Sequence, residues 1–238
     1  DRYYQLTENA ESNINYSSFV NYGLIVLNGL KNPSSGLAQQ LKVYLNTGGS
    51  IVIFPDLDAD VNQYNTFLTA LGLPKIQQQN NVPTQVEKID LQNPIFRTVF
   101  EEIPKNLDLP TVKRYFSFIA GTASSKEDLM QLPAGKMFFS KFGVANGSVY
   151  LSASGLSDQD GNLARHPVFV PIMYRLALNS GTDEQIYNHL GGDNALSSKK
   201  ISLGKNQTLK LKSESFEVIP ELRQMGGKTM IYLADQIK

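Results

Sequence analysis

Two short apolar runs that frame a segment of helical period constrain this chain more than any other feature. Leu24-Ile25-Val26-Leu27 and Ile51-Val52-Ile53-Phe54 are continuous, rich in β-branched residues and short, so they read as buried strands. Between them Leu37, Ala38, Leu41, Tyr44 and Leu45 recur at three- and four-residue spacing and make one apolar helix face. Asn32-Pro33-Ser34-Ser35 supplies turn chemistry and an N-cap, and Gly48-Gly49 supplies the left-handed position that ends a helix. Strand, helix and strand at this spacing imply a parallel pair joined by a right-handed crossover.

The pattern continues downstream. Asp60 to Leu73 reads as a helix with Val61, Tyr64, Phe67, Leu68 and Leu71 on one face and an acidic start. Residues 76–94 are polar and Pro-interrupted, around Gln77-Gln78-Gln79-Asn80-Asn81, and read as a long surface excursion. A short helix is expected from Pro94 to Phe100 and a strand from Lys113 to Ile119. Lys136 to Phe142 and Ser148 to Ala153 read as a hairpin across Val144-Ala145-Asn146-Gly147, with Asn-Gly supplying positive φ angles. Pro167 to Leu178 is a helix with Val168, Phe169, Ile172, Met173, Leu176 and Ala177 inward. After Ser180-Gly181 the pattern becomes strand-like: Ile201 to Leu203, Thr208 to Leu211, Phe216 to Ile219 and Thr229 to Leu233, with Gly-rich breaks. The expectation is an α/β fold over residues 1–181, a mostly parallel sheet with helices on both faces. A small antiparallel, sandwich-like β domain follows over 182–238, cut at its C-terminus.

Composition then excludes whole classes of chemistry. The 238 residues include no cysteine, which removes disulfides, thiolate zinc sites, iron–sulfur clusters and any cysteine nucleophile. Charges balance at 22 basic against 22 acidic residues, so no basic excess exists to displace counterions from nucleic acid. No apolar stretch is long enough to span a bilayer. Both ends read as cut, as in a soluble piece of a longer protein that meets a membrane only through segments outside this chain. No cofactor is implied.

Acidic residues concentrate in two places. Asp56, Asp58 and Asp60 follow the second apolar run, at the carboxyl end of a strand where open α/β sheets bind ligands. A calcium loop counted from Asp56 would need Gly and a bidentate acid where Val61 and Phe67 stand. The second concentration, Ser157-Asp158-Gln159-Asp160-Gly161-Asn162, fails the same test at Leu163 and Phe169. An acidic helix start and a polar turn are the plainer readings; joint cation binding requires the fold to bring both loops together. His166 and His189 are too far apart in sequence to make a zinc site by spacing. A Gly-x-Ser-x-Gly elbow is absent, Ser152 and Ser154 being the nearest candidates, and phosphate-loop and dinucleotide fingerprints are absent too.

Tyr22 to Asn28, and Leu37 to Pro55 with its Gly48-Gly49-Ser50 and Ile-Val-Ile-Phe-Pro run, resemble the class I glutamine amidotransferase-like fold. That flavodoxin-like likeness covers about residues 3–180. More narrowly, Gly147-Ser148-Val149-Tyr150-Leu151 and His166-Pro167-Val168-Phe169-Val170-Pro171 resemble the corresponding region of Bacteroidetes-type membrane proteins with an aerotolerance-type N-terminal module. Active members of the amidotransferase group place a Cys on a tight strand-to-helix turn. The equivalent turn here is Pro55-Asp56, so the resemblance implies a kept fold and a lost glutaminase. It also implies a first strand removed before Tyr3, a periplasmic location as the soluble part of an inner-membrane protein, and protein partners in the cell envelope. Three functions follow. One is a non-catalytic binding or scaffolding domain, with Asp56, Asp58, Asp60, Asp158, Asp160 and His166 as candidate ligand or ion contacts. Another is a hydrolase using Asp56 or a Ser with His166. The third is a carbohydrate-binding module using Tyr16, Tyr64 or Tyr115.

Overall fold

The computed structural model describes residues 5–96, 108–119, 125–180, 195–199, 208–212, 217–225 and 228–232. The chain divides into two compact units, Asp1–Asp183 and Glu184–Lys238.

In the first unit the strands are β1 (Leu24–Leu30), β2 (Ser50–Pro55), β3 (Ile76–Asn80), β4 (Thr84–Gln85), β5 (Lys88–Ile89), β6 (Thr111–Val112), β7 (Tyr115–Phe118), β8 (Lys126–Leu132), β9 (Lys136–Val144) and β10 (Gly147–Ser152). The helices are α1 (Ser35–Asn46), α2 (Val61–Ala70) and α3 (Phe169–Ser180). Six strands form the central sheet in the order β1-β2-β10-β9-β8-β5. β1, β2 and β10 run parallel, and β9, β8 and β5 extend the sheet in antiparallel fashion. The crossover predicted from the two apolar runs is present: Ile25 pairs with Ile51, and Ile51 in turn with Val149.

β2 is buried along its whole length because both of its faces are covered. Ile51 and Ile53 join α1 and α2 through Leu41, Leu45, Phe67 and Leu68, while Val52 and Phe54 join α3 through Ile172 and Leu176. The period-2 alternation of one strand thus feeds two cores, and helices lie on both faces. Local signals set the helix ends. Ser34 Oγ accepts from Leu37 N at 3.1 Å, Asp60 Oδ1 accepts from Gln63 N at 2.9 Å, and Gly48 takes φ +92° after α1.

Four expectations change. Residues 76–94 are not a loop: β3 pairs with β7, β4 with β6 and β5 with β8, and Val86 is buried. The amide side chains of β3 face solvent while its backbone pairs, so polarity concealed a strand. Pro94 to Phe96 form a turn in which Asn93 Oδ1 accepts from Ile95 N, and the remainder of the expected helix lies outside the described residues. β8 was not expected; its register shifts at Asp128 and Met130 break the alternation that would have revealed it. In the β9–β10 hairpin the positive φ, 52°, belongs to Ala145 rather than to Asn-Gly. Gly147 serves a different need, since a Cβ there would collide with the Gly49 carbonyl.

The second unit holds small antiparallel sheets. β11 (Ala195–Lys199), β15 (Lys228–Tyr232) and β14 (Glu221–Met225) form one, and β12 (Leu211–Lys212) pairs with β13 (Glu217–Val218). β15, β13 and β12 match expected runs in part, β11 and β14 were not expected, and Ile201 to Leu203 lie outside the described residues. His189 also lies outside them.

Candidate functional site

The site grows from the carboxyl ends of β2 and β10. At β2 the chain leaves through buried Pro55 into a tight turn in which Asp56 Oδ1 accepts from Asp58 N at 2.7 Å. This fixes Asp58 outward, and Asp60 then caps α2. At β10 the chain leaves through Ser152, whose hydroxyl donates to Ser154 O at 2.7 Å and accepts from Ser154 N at 3.1 Å. Ser154 Oγ donates to Arg114 O at 2.8 Å, so neither serine hydroxyl is free for attack.

The fold brings the two acidic loops to a common cation, and that cation is a side chain. Arg114 Nη1 meets Asp58 Oδ1 at 2.8 Å, while Nη2 and Nε meet Asp160 Oδ1 at 2.6 and 2.9 Å. The hydrogen bond to Asp58, with that to Asp160, raises the Arg114 pKa above its ordinary value against the opposing effect of desolvation. Backbone bonds reinforce the joint, with Lys113 N donating to Asp160 O at 2.8 Å and Thr111 N donating to Asn162 Oδ1 at 2.8 Å. Asp158 pairs with Arg165 and accepts at its carbonyl from Lys113 Nζ at 3.0 Å. Among the described residues no three His, Asp or Glu side chains are arranged to hold a metal ion.

Gly155 closes the turn. A Cβ on it would sit 2.5 Å from Asp160 Oδ2 and 2.8 Å from the Pro55 carbonyl, so the loop after β10 presses directly onto the turn after β2. Sequence reasoning found the aspartates and missed Arg114 and Gly155. The only signal was a Lys-Arg pair heading an aromatic strand, and the contact from Arg114 to Asp58 spans 56 residues.

His166 stands apart from Asp56, with no hydrogen bond or ion pair between them among the described residues. Its Nδ1 accepts from Val168 N at 3.3 Å at the entry to α3, and the carboxylate facing it is that of Asp108, 4.0 Å away. The ring is buried, Nε2 has no hydrogen-bond partner among the described residues, and burial lowers the His166 pKa against the opposing pull of Asp108. Asp56 instead lies near Tyr64, whose phenol is raised by burial and by that carboxylate. Of the tyrosines considered for sugar stacking, Tyr64 is 1% exposed and Tyr16 is half-buried. Tyr115 lines a groove of about 290 Å³ but is only 7% exposed, so it offers no platform.

No protein-family model and no curated protein sequence matches the chain. Solved structures do. A cytoplasmic protein of Salmonella typhimurium is 13% identical with a TM-score of 0.55, over 69% of this chain and 74% of that one. A second cytoplasmic protein of Salmonella typhimurium is 16% identical with a TM-score of 0.47, over 68% of this chain and 73% of that one. A protein of Bacteroides uniformis described as ThuA-like is 15% identical with a TM-score of 0.47, over 68% and 71%. The first of these likenesses shows the fold alone, a mixed α/β domain with a central sheet and helices.

The narrower resemblance to aerotolerance-type membrane proteins is corrected. The Salmonella protein of TM-score 0.55 is described as cytoplasmic, which contradicts the periplasmic, inner-membrane placement. No helix among the described residues is long and apolar enough to cross a membrane. The motifs behind that resemblance do fold-level work: Gly147 admits the Gly49 carbonyl and His166 starts α3.

Proposed function

We propose that the chain is a non-catalytic binding domain that keeps the amidotransferase-like fold and engages protein partners. One observation carries this reading: the turn after β2, Pro55-Asp56, which the resemblance sets where active amidotransferases carry their cysteine, is pressed against Gly155 and tied through Asp58 and Asp160 to Arg114. The groups that could have replaced the thiol are engaged elsewhere, Ser152 and Ser154 with backbone and Asp56 with its own turn. A nucleophile needs a base within hydrogen-bond reach, and His166 meets neither Asp56 nor the two serines. The test is glutamine hydrolysis followed by ammonia release. Ammonia production at the blank rate supports the proposal. Turnover that disappears in Asp56→Asn or His166→Gln would overturn it.

A further inference from the structure

The central sheet treats its two edges in opposite ways. β5, at one end, is two residues long, includes Lys88 and is flanked by Glu87 and Asp90. Short length and charge are the usual means of keeping a sheet edge from pairing with another chain. β1, at the other end, is seven residues, Leu-Ile-Val-Leu-Asn-Gly-Leu, with no charge and no proline. Its only irregularity is the register shift between Asn28 and Leu30 at Gly29, so Leu24 to Asn28 form a regular strand. Among the described residues no strand lies beyond it. Val26 is 40% exposed on the same face as Leu24, which packs into the α3 core. α3 packs beside β1 and leaves Val170 69% and Leu178 40% exposed.

We propose that β1 is a dimerisation edge, pairing antiparallel with β1 of a second copy about a twofold axis and joining two central sheets. The charge pattern argues for self-pairing. An isologous interface sets a surface against itself, so any charge on it meets its like. A pairing centred on Val26 sets Val26 against its own copy, Ile25 against Leu27 and Leu24 against Asn28, and brings Lys31 opposite Asn21. No like charges face each other, and the chain as a whole carries a net charge of zero. Exposed Val26, Val170 and Leu178 extend the joint from backbone hydrogen bonds to apolar contact.

Sedimentation equilibrium of the full chain over a hundredfold range of protein concentration tests this. The expected result is a concentration-dependent dimer. Val26→Lys and Val26→Glu, each checked for folding by circular dichroism, should each weaken dimerisation at least tenfold. An equimolar mixture of the two should restore it, because opposite charges then meet across the axis. A chain that stays monomeric throughout the range overturns the proposal, as does a dimer indifferent to both variants. A mixture that stays monomeric while each variant is folded also overturns it, since the two residue-26 side chains would then not be neighbours.

Discussion

Asp58 and Asp160 hold the same guanidinium, yet the first leaves 58% of its side chain in solvent and the second 5%. The two loops therefore contribute different things to one joint. Asp58 sits on an exposed turn and its attraction to Arg114 is screened by water, a situation in which ion pairs stabilise little. Asp160 is enclosed by Gly155 and the Arg114 segment, and its charge is tolerable only because Arg114 neutralises it. Proton affinity and stability rank the partners differently. The bond to Asp58 raises the Arg114 pKa most, but losing Asp58 strands nothing, whereas losing Arg114 strands a buried carboxylate.

Substitutions can break this asymmetry, beginning with the largest effect. Arg114→Met and Asp160→Ala should each lower unfolding free energy by about 3 kcal/mol in urea titrations. A loss below ~1 kcal/mol would mean that the buried pair is not a brace. Gly155→Ala should cost about 2 kcal/mol, since the added methyl meets the Pro55 carbonyl, which cannot rotate away. An unchanged urea midpoint would show that the loop after β10 does not press on the turn.

His166 adds a smaller, pH-dependent contribution. Its folded pKa lies below the ordinary 6.5, so the unfolded chain binds a proton where the folded one does not. Stability is complete above about pH 6.5 and falls as pH drops toward the folded pKa. Protonation at Nδ1 would also remove the acceptor for Val168 N. Thermal melts at about pH 7.5 and 5.5 should show a drop that His166→Gln reduces; an equal drop in the variant would place the titration on another group. The smallest effect is that of Asp58→Ala, under ~1 kcal/mol and shrinking further in high salt. A loss equal to that of Asp160→Ala would erase the distinction between the loops.

What could be read from the sequence follows from how local each signal is. β2 is legible because four apolar residues in a row suffice for burial on both faces. Ser34 and Asp60 are legible because a cap acts on an N–H three residues away. β3 was hidden because its pairing with β7 uses backbone groups that every residue carries, while Gln77 to Gln79 present amides to solvent. The site was half legible. Its aspartates follow apolar strands and stand out, but Arg114 reaches Asp160 across 46 residues, and no spacing rule connects them. Gly155 was invisible for a related reason, since its role is to have no side chain where two distant loops touch.

The central claim is that the carboxyl-end turn is a structural brace. Residues kept for catalysis often leave stability unchanged or raise it when replaced, because active sites trade stability for function. A double-mutant cycle between Asp160→Ala and Arg114→Met, read by urea unfolding, separates the two cases. The brace predicts large single losses and a coupling of about 2 kcal/mol, with the double variant little worse than either single one. Single variants as stable as the native chain, with no coupling, would contradict it.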